Sequence, residues 1–422
     1  MDAFKKKVVI IGGGFAGMKL AKSLDSRLFD VLLIDKVNHH QFQPLFYQVA
    51  TSQLEPASIS FPLRSVFNKQ ANVQFRLTEV TNIDRAAKKV ITTTGDFAYD
   101  YLVIAIGCRT NFYGNVNVRN HAFSLKTTYD AMTIRNHVLQ NFEDAIAAPA
   151  EIKQSYLNLV IVGAGPTGVE LAGAFAEIKR NILPKDYHGI DFSKFRIILI
   201  EGGKAPLGNM SQKTQTTSAK YLKKMGVELV LKTFVKDYDG QTLTLSNGEQ
   251  LPTRTVIWAA GVRGRLMEGI LPEEVAPHGK RLMVNRYNQL GAESSIFAIG
   301  DIAYMETPKY PRAHPQLANV AINQALLLAK NLKQLEQGKA MTPFEYKDLG
   351  SMATVGTNKA LVDFPHLHFK GPIAWLIWMF LHLMLILGVR NKLVVFVNWA
   401  WAYVTKDTSL RLILSRPDDR QA

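Results

Sequence analysis

The sequence predicts an α/β fold in two similar halves, each a doubly wound parallel sheet, with a helical segment of different character at its C-terminal end. Three observations carry that reading. An apolar strand runs through a glycine-rich turn into a helix in "VVIIGGGFAGMKLA", residues 8–21. The same succession returns in "LVIVGAGPTGVELAG", residues 159–173. Beyond residue 364 the alternation gives way to "GPIAWLIWMFLHLMLILG", "VRNK" and "LVVFVNWAWAYVTK".

Residues 7–35 read as a β-α-β unit made of "VVIIGGG", the helix "AGMKLAKSL" and the strand "FDVLLID". Short strands follow, with a charged hairpin near Arg85 to Lys89, and close on "YDYLVIAIG". A polar connection, "APAEIKQSYLN" at 148–158, leads into "LNLVIVGAG", the helix "GVELAGAFAEIKRNIL" and the strand "FRIILIE". A matching hairpin series follows in "VELVLKTFVKDYDGQTLTLSNGEQLPTRTVIWAAG". After residue 280 come the strand "SSIFAIGDIAYM" and the helix "LANVAINQALLLAKNLKQL". The expected domains are 1–120 and 281–364 as two parts of one half, 121–280 as the other half, and 365–422 as the tail.

A chain of 422 residues, 47% hydrophobic and 20% charged, excludes disorder and is too long for one core. Its net charge of +15 favours a polyanionic neighbour, nucleic acid or an anionic membrane surface. No basic run interleaved with aromatics and no zinc or RNA-binding signature is present, so no nucleic-acid partner is expected. A single cysteine, Cys108, excludes an internal disulfide, a CxxC redox pair and a cysteine-rich metal site. The basic start "MDAFKKKVVIIGGGFAG" reads as a strand and not as an export signal, because its apolar run is short and flows into the turn.

In each GxGxxG turn the first glycine permits the tight bend, the second admits a pyrophosphate, and the third lets helix and strand pack, leaving helix N-terminal amides facing the anion. Gly12, Gly14 and Gly17 fit this pattern, as do Gly163, Gly165 and Gly168. Asp35 follows Gly12 by 23 residues, close to the spacing of the acid that accepts ribose hydroxyls. Glu201 takes that part in the second unit after the inserted loop "PKDYHGIDFSKF", and its charge disfavours a 2′-phosphate, which selects NADH over NADPH. Arg196, just before that strand, reads as solvated. Two Rossmann-like loops imply two dinucleotides, one permanent flavin and one exchangeable nicotinamide, with hydride passing between them.

With these motifs the chain resembles the two-dinucleotide-binding-domain flavoproteins and, within them, the type II NADH dehydrogenases, single-subunit NADH:quinone oxidoreductases. "NHHQFQPLFYQVATSQL" at 38–54 is similar to that family's segment beside the flavin ring. "YDYLVIAIG" at 99–107, "VIWAAGV" at 256–262 and the Gly-Asp motif "IFAIGDIA" at 296–303 resemble its strand-to-loop crossings near the cofactors. "FEYKDLGSMATVGTNKALVD" and the tail from residue 369 to 406 resemble its closing region. Two stretches depart from the family. "ANVAINQ" replaces an Ala-Gln…Gln pattern near the quinone, which puts the amides of Asn319 and Asn323 on shorter arms, and "AIG" at 105–107 replaces Ala-Thr-Gly.

The resemblance implies FAD contacts at Gly12, Gly14, Ala16, Gly17, Asp35, Lys36, Val80, Gly107, Asp301, Ala318 and Lys370, with Asp301 on the ribityl chain. It implies NADH contacts at Gly163, Gly165, Pro166, Thr167, Gly168, Glu170, Glu201, Ala260 and Gly261, and quinone contacts at Pro44, Gln48, Gln316, Asn319 and Asn323. Glu170 and Lys370 are the expected catalytic residues, Glu170 stabilising the stacked rings or relaying protons. Hydride transfer needs positioning more than an acid or base, so neither a triad nor a metal site is expected. His39, His40 and His382 lack ligand spacing and read as packing or interface residues. Disulfide reductases and sulfide:quinone oxidoreductases need reactive cysteines that Cys108 alone does not supply.

From Ile373 to Leu387 the side chains are apolar apart from His382, roughly 22 Å as a helix against the ~30 Å of a bilayer's hydrocarbon. With Trp375, Trp378, Trp399, Trp401 and Tyr403 as interfacial rings and Arg390 and Lys392 as charges, two membrane-interface helices are expected. The function implied is a monotopic enzyme on the cytoplasmic face of the cell membrane. It passes electrons from NADH through FAD to a membrane quinone without pumping protons, and homodimer formation stays open. The alternatives are a soluble NADH-dependent flavoprotein reductase with a protein or oxygen acceptor, and a non-catalytic flavoprotein binding module.

Overall fold

In the computed structural model, which describes residues 5–408 and 410–414, Lys6–Ile11 is the central strand of a five-stranded parallel sheet. The strand order is Ile296–Ala298, Tyr101–Ile104, Lys6–Ile11, Phe29–Asp35, Val73–Leu77. Val8, Val9, Ile10 and Ile11 are all buried, as a parallel strand covered on both faces requires. Burial of each such side chain contributes about 1.5–3 kcal/mol. Ile10→Ala would cost about 2–5 kcal/mol, because the cavity it leaves adds to the lost transfer energy. The register pairs Val8 with Val31 and Ile11 with Ile34, so the second strand ends on Asp35 beside the glycine turn. Helices Phe15–Ser23 and Ala318–Glu336 pack against each other on this sheet's unit.

The chain divides into two compact units. The first comprises Met1–Gln41, Phe61–Arg109 and Val262–Lys347, and the second Phe42–Ser60, Thr110–Gly261 and Asp348–Ala422. The outer ends of the first and last expected domains, residues 1–4 and 415–422, lie outside the described residues, as does Ser409.

The second unit repeats the arrangement with its own strands, in the order Phe123–Ser124, Thr255–Trp258, Asn158–Val162, Arg196–Glu201, Val227–Leu231, all parallel. The helix Pro166–Asn181 follows its glycine turn. A Cβ on Gly173 would lie 1.7 Å from the Val355 carbonyl oxygen, so the backbone of strand Ser351–Gly356 rests directly on that helix. This strand opens an antiparallel sheet with Lys359–Asp363 and His368–Gly371. The chain then enters two helices, Pro372–Leu385 and Val389–Thr405.

The hairpin at Arg85 is present between strands Val80–Asp84 and Lys89–Thr92, and the Arg85 guanidinium pairs with Glu274 at 2.9 Å. Two local expectations change. The connection 148–158 contains the helix Ala150–Tyr156, which Pro149 precedes and Glu151 in its first turn favours through the helix dipole. Arg196 is not simply solvated, since its Nε and Nη2 donate to Glu228 on the neighbouring strand at 2.8 and 2.6 Å. The helix Thr128–Ala147 is an element beyond those expected. Its signal is the capping box in "TTYD", where Thr127 Oγ1 accepts from Asp130 N and Asp130 Oδ2 accepts from Thr127 N, both at 3.0 Å.

Candidate dinucleotide loops and a buried carboxyl pocket

The two glycine turns are built alike, each within its own unit. Gly12 has φ +107° and a Cβ there would lie 2.5 Å from the Ala105 carbonyl oxygen. Gly163 has φ +100° and a Cβ would lie 2.6 Å from the Ala259 oxygen. A Cβ on Gly17 would lie 1.9 Å from Gly12 O, and one on Gly168 would lie 1.9 Å from Gly163 O, so no larger residue fits where helix meets turn. At the middle glycines, Gly14 and Gly165, a Cβ would meet nothing within 4 Å. That open face, at a helix N-terminus with unsatisfied amides, is where a pyrophosphate fits. Pro166 and Thr167 are exposed on the same turn, while Ala16 is buried.

Each turn is braced by its acid. Asp35 Oδ2 accepts from Gly13 N at 2.6 Å and Oδ1 from Val37 N at 2.9 Å. Glu201 Oε2 accepts from Ala164 N at 2.7 Å and Oε1 from Gly203 N at 2.7 Å. An ionised carboxylate offers about four lone-pair sites, so each keeps capacity for ribose hydroxyls. Burial raises the Asp35 pKa, against the pull of the Gly13 and Val37 amides. The residues present therefore fit two dinucleotides. His40 lies under the first turn, its Nδ1 3.0 Å from Gly13 O and its ring edge-on to Phe15. Burial lowers its pKa to about 4, which keeps it neutral.

The first unit also holds Lys36, exposed after the second strand, Val80 at a strand start and Gly107 with φ +64°. The Asp301 carbonyl accepts from Arg281 Nε at 2.9 Å, Cys108 Sγ at 3.3 Å and Gln316 Nε2 at 3.2 Å. The helix that begins at Ala318 carries Asn319 and Asn323 one turn apart, and Asn323 Nδ2 donates to Asn319 Oδ1 at 3.3 Å. Of the expected quinone residues, these two are thus brought together. In the second unit Ala260 O accepts from the Tyr113 hydroxyl at 2.7 Å, and Gly261 follows with φ +113°.

The second unit encloses a pocket with about 510 Å³ of empty space, part of it open to solvent. Glu170 and Gln48 both line it. Glu170 sits one turn inside the helix Pro166–Asn181 and is nearly inaccessible, and Thr354 N approaches its Oε1 at 3.4 Å. Burial pushes its pKa up to about 8, against weaker pulls from the Thr354 amide and the Trp378 indole. That indole acts from outside hydrogen-bonding geometry, for its Nε1 has no hydrogen-bond partner among the described residues. Burial of this kind favours the protonated, uncharged carboxyl. Gln48 donates from Nε2 to the Tyr47 hydroxyl at 2.9 Å and accepts at Oε1 from Trp399 Nε1 at 2.8 Å. Tyr47 was not among the expected site residues, and Trp378 and Trp399, expected as interfacial rings, are instead buried at 2% and 7% exposure and line this pocket. Their signal was indirect, an aromatic beside Gln48 and two tryptophans in the tail. Pro44 stands in a short turn before this segment, and Lys370 is exposed on strand His368–Gly371, both outside the pocket's lining.

Two parallel sheets, each ending in a carboxylate-braced glycine turn, define a protein that holds two dinucleotides. The profile of the pyridine nucleotide-disulphide oxidoreductases matches residues 6–325, and that of the NDH2 C-terminal domain matches residues 349–406. A type II NADH:quinone oxidoreductase of Mycobacterium tuberculosis is 34% identical over 95% of this chain and 89% of its own length. One from Staphylococcus aureus is 30% identical over 88% of this chain and 91% of its own. The solved structure of NDH2 from Plasmodium falciparum in complex with NADH superposes with a TM-score of 0.89 at 21% identity, covering 98% of this chain and all of that one. A sulfide:quinone oxidoreductase from Aquifex aeolicus shares the fold with a TM-score of 0.73 at 22% identity, over 95% of this chain and 96% of that one. The chain belongs to the pyridine nucleotide-disulphide oxidoreductase family and, within it, to the type II NADH:quinone oxidoreductases.

Proposed function

We propose that this NADH:quinone oxidoreductase holds FAD on the Gly12–Gly17 turn with Asp35, and NADH on the Gly163–Gly168 turn with Glu201. Bound FAD supplies a two-electron carrier that accepts hydride from NADH and passes the electrons to quinone. Glu201 selects NADH, because a carboxylate at the strand end repels a 2′-phosphate. Glu170 serves as the proton donor to quinone, with Gln48 and Tyr47 ordering the approach beside it. The observation that carries this part is a buried carboxyl, its pKa raised by burial, in a pocket shared with the segment that resembles the family's flavin-side motif.

The enzyme is seated at the lipid surface by its last two helices, on the cytoplasmic face. Ile373, Leu376 and Phe380 form a stripe 60–62% exposed at helical spacing, while Ala374 and Trp378 on the same helix are buried. Val389, Leu393, Phe396 and Val397 continue the exposed apolar surface on the second helix, opposite Val395 and Trp399. Stacking of Trp375 on Tyr403, 5.4 Å between centroids, joins the two helices. A contiguous apolar face of this kind favours a membrane interface over a freely soluble reductase. Among the described residues no helix is long and apolar enough to cross a membrane.

Purified protein mixed with quinone-loaded vesicles tests the whole reading. One quinol should form for each NADH consumed, the protein should sediment with the vesicles, and NADPH should substitute poorly. Equal rates with NADPH, or NADH oxidation without quinol, would remove the assignment.

A further inference from the structure

The helix that carries Glu170 brings a second carboxyl into the same pocket. Glu177 follows by seven residues, two turns along one helix face, which sets the two Cα atoms roughly 10 Å apart along the axis, and both residues line the pocket. Ala174 lies between them on that face and also lines the pocket. Its small side chain occupies little of that face.

Glu177 is anchored by strand and turn residues. Thr357 N donates to its Oε1 at 2.6 Å and the Thr357 hydroxyl to its Oε2 at 3.3 Å. Lys359 and Arg180 are the cations whose fields reach it, yet burial prevails and raises its pKa. Glu170 faces Thr354, Trp378 and the hydroxyl of Tyr47, and the charges of both carboxyls bear on that hydroxyl. Neither carboxyl forms an ion pair among the described residues. Glu170 is buried and Glu177 partly exposed, so the second is the nearer of the two to solvent. Thr354, Thr357 and Tyr403 are among the residues lining this mostly apolar space, which is large enough to admit water between the two carboxyls.

Reduction of quinone to quinol takes two electrons and two protons. NADH delivers both electrons and one proton as hydride, so the net reaction, NADH + H⁺ + quinone → NAD⁺ + quinol, draws one proton from solution. Once Glu170 has given its proton it is a buried anion without a counter-charge, a costly state that must be refilled. We propose that Glu177 is the solvent-side station of a proton passage that runs past Ala174 to Glu170. The Glu170 O–H bond breaks as the quinol O–H bond forms. It reforms with a proton passed from Glu177 through water, and Glu177 is recharged from solution, so both carboxyls end as they began. Glu177 acts through Glu170 as a positioning residue. The inference rests on the reading of Glu170 as proton donor.

The test uses flavin-loaded protein reduced anaerobically by NADH and then mixed with a short-chain quinone, in water and in D₂O, from pH 6 to 9. In Glu177→Gln, which keeps the shape but carries no exchangeable carboxyl proton, flavin reduction by NADH should be unchanged. Reoxidation by quinone should slow about tenfold or more above pH 7, as loss of a positioned proton carrier requires. The solvent isotope effect should grow. Ala174→Leu, which obstructs the passage and alters no titratable group, should slow the same step. Glu177→Asp should recover most of the rate, and imidazole should rescue Glu177→Gln but not Ala174→Leu. Wild-type reoxidation and an unchanged pH profile in folded, flavin-loaded Glu177→Gln and Ala174→Leu would overturn the passage. If Glu170→Gln is slow while those two are normal, only the passage fails. If Glu170→Gln also reoxidises normally, the donor reading fails and the passage with it.

Discussion

Trp399 in the last helix donates its indole N–H to Gln48 Oε1 at 2.8 Å, and both residues are buried. The same amide donates to Tyr47, so the tail is wired into the pocket that contains Glu170. Asn391 adds a second tie, its Nδ2 donating to the carbonyls of Ala57 and Ser58 at 3.0 Å. Trp399→Phe leaves a buried amide oxygen without its donor, at a cost of about 1–3 kcal/mol. Its measured signature should be a lower melting temperature and a raised KM for quinone, with flavin reduction by NADH unaltered. An unchanged KM would mean that this bond only holds the fold.

The same wiring changes what a tail truncation reports. Removing residues from about 365 onward would strip Trp378 and Trp399 from the core along with the lipid-facing stripe. Point changes on the exposed stripe separate the two effects. Leu376→Glu with Phe380→Glu should release the protein from vesicles and depress quinone reduction, while reduction of a soluble acceptor such as ferricyanide stays near wild type. Equal loss with both acceptors would count against a lipid-facing role for these side chains.

Glu201→Arg reverses the charge at the end of its strand and removes the acceptor for Ala164 N and Gly203 N. NADH affinity should fall by about 1–3 kcal/mol, the scale of a lost charged hydrogen bond, and flavin content should persist. Titration of the purified variant with NADH reads the first and its absorbance spectrum the second. Unaltered NADH affinity would misplace the second cradle.

Glu170 gives the stability a definite pH slope. Its folded pKa, near 8, lies above the carboxylate value of 4.5, so the folded state binds the extra proton between those pH values. Stability contributed this way is present at the acid end and is lost as pH rises through that window, by at most about 1.4 kcal/mol per pH unit. Glu170→Gln, permanently neutral, should flatten the slope between pH 5 and 8. Denaturant unfolding at four pH values measures it, and an equal slope in both proteins would show that the carboxyl is ionised in the fold.

Much of this was legible in the sequence because the features are local. Gly12, Gly163 and the acids Asp35 and Glu201 obey spacings dictated by a strand, a turn and a helix. The two tail helices follow from apolar runs bounded by Gly371 and Gly388. What the sequence did not reveal depends on contacts far apart along the chain. Tyr47, Thr354 and Trp399 meet at the Glu170 pocket across some 350 residues, which no periodicity encodes. Likewise the Arg196 pair depends on which strand becomes its neighbour, and the helix Ala150–Tyr156 is too short for its pattern to stand out from a polar linker.

The central claim is that one bound flavin takes electrons from NADH and yields them to quinone. Anaerobic stopped-flow absorbance of the purified protein measures it directly. NADH should bleach the flavin band within the turnover time, and added quinone should restore it fully without oxygen. A flavin that NADH leaves oxidised, or that stays bleached after quinone is added, would contradict the account.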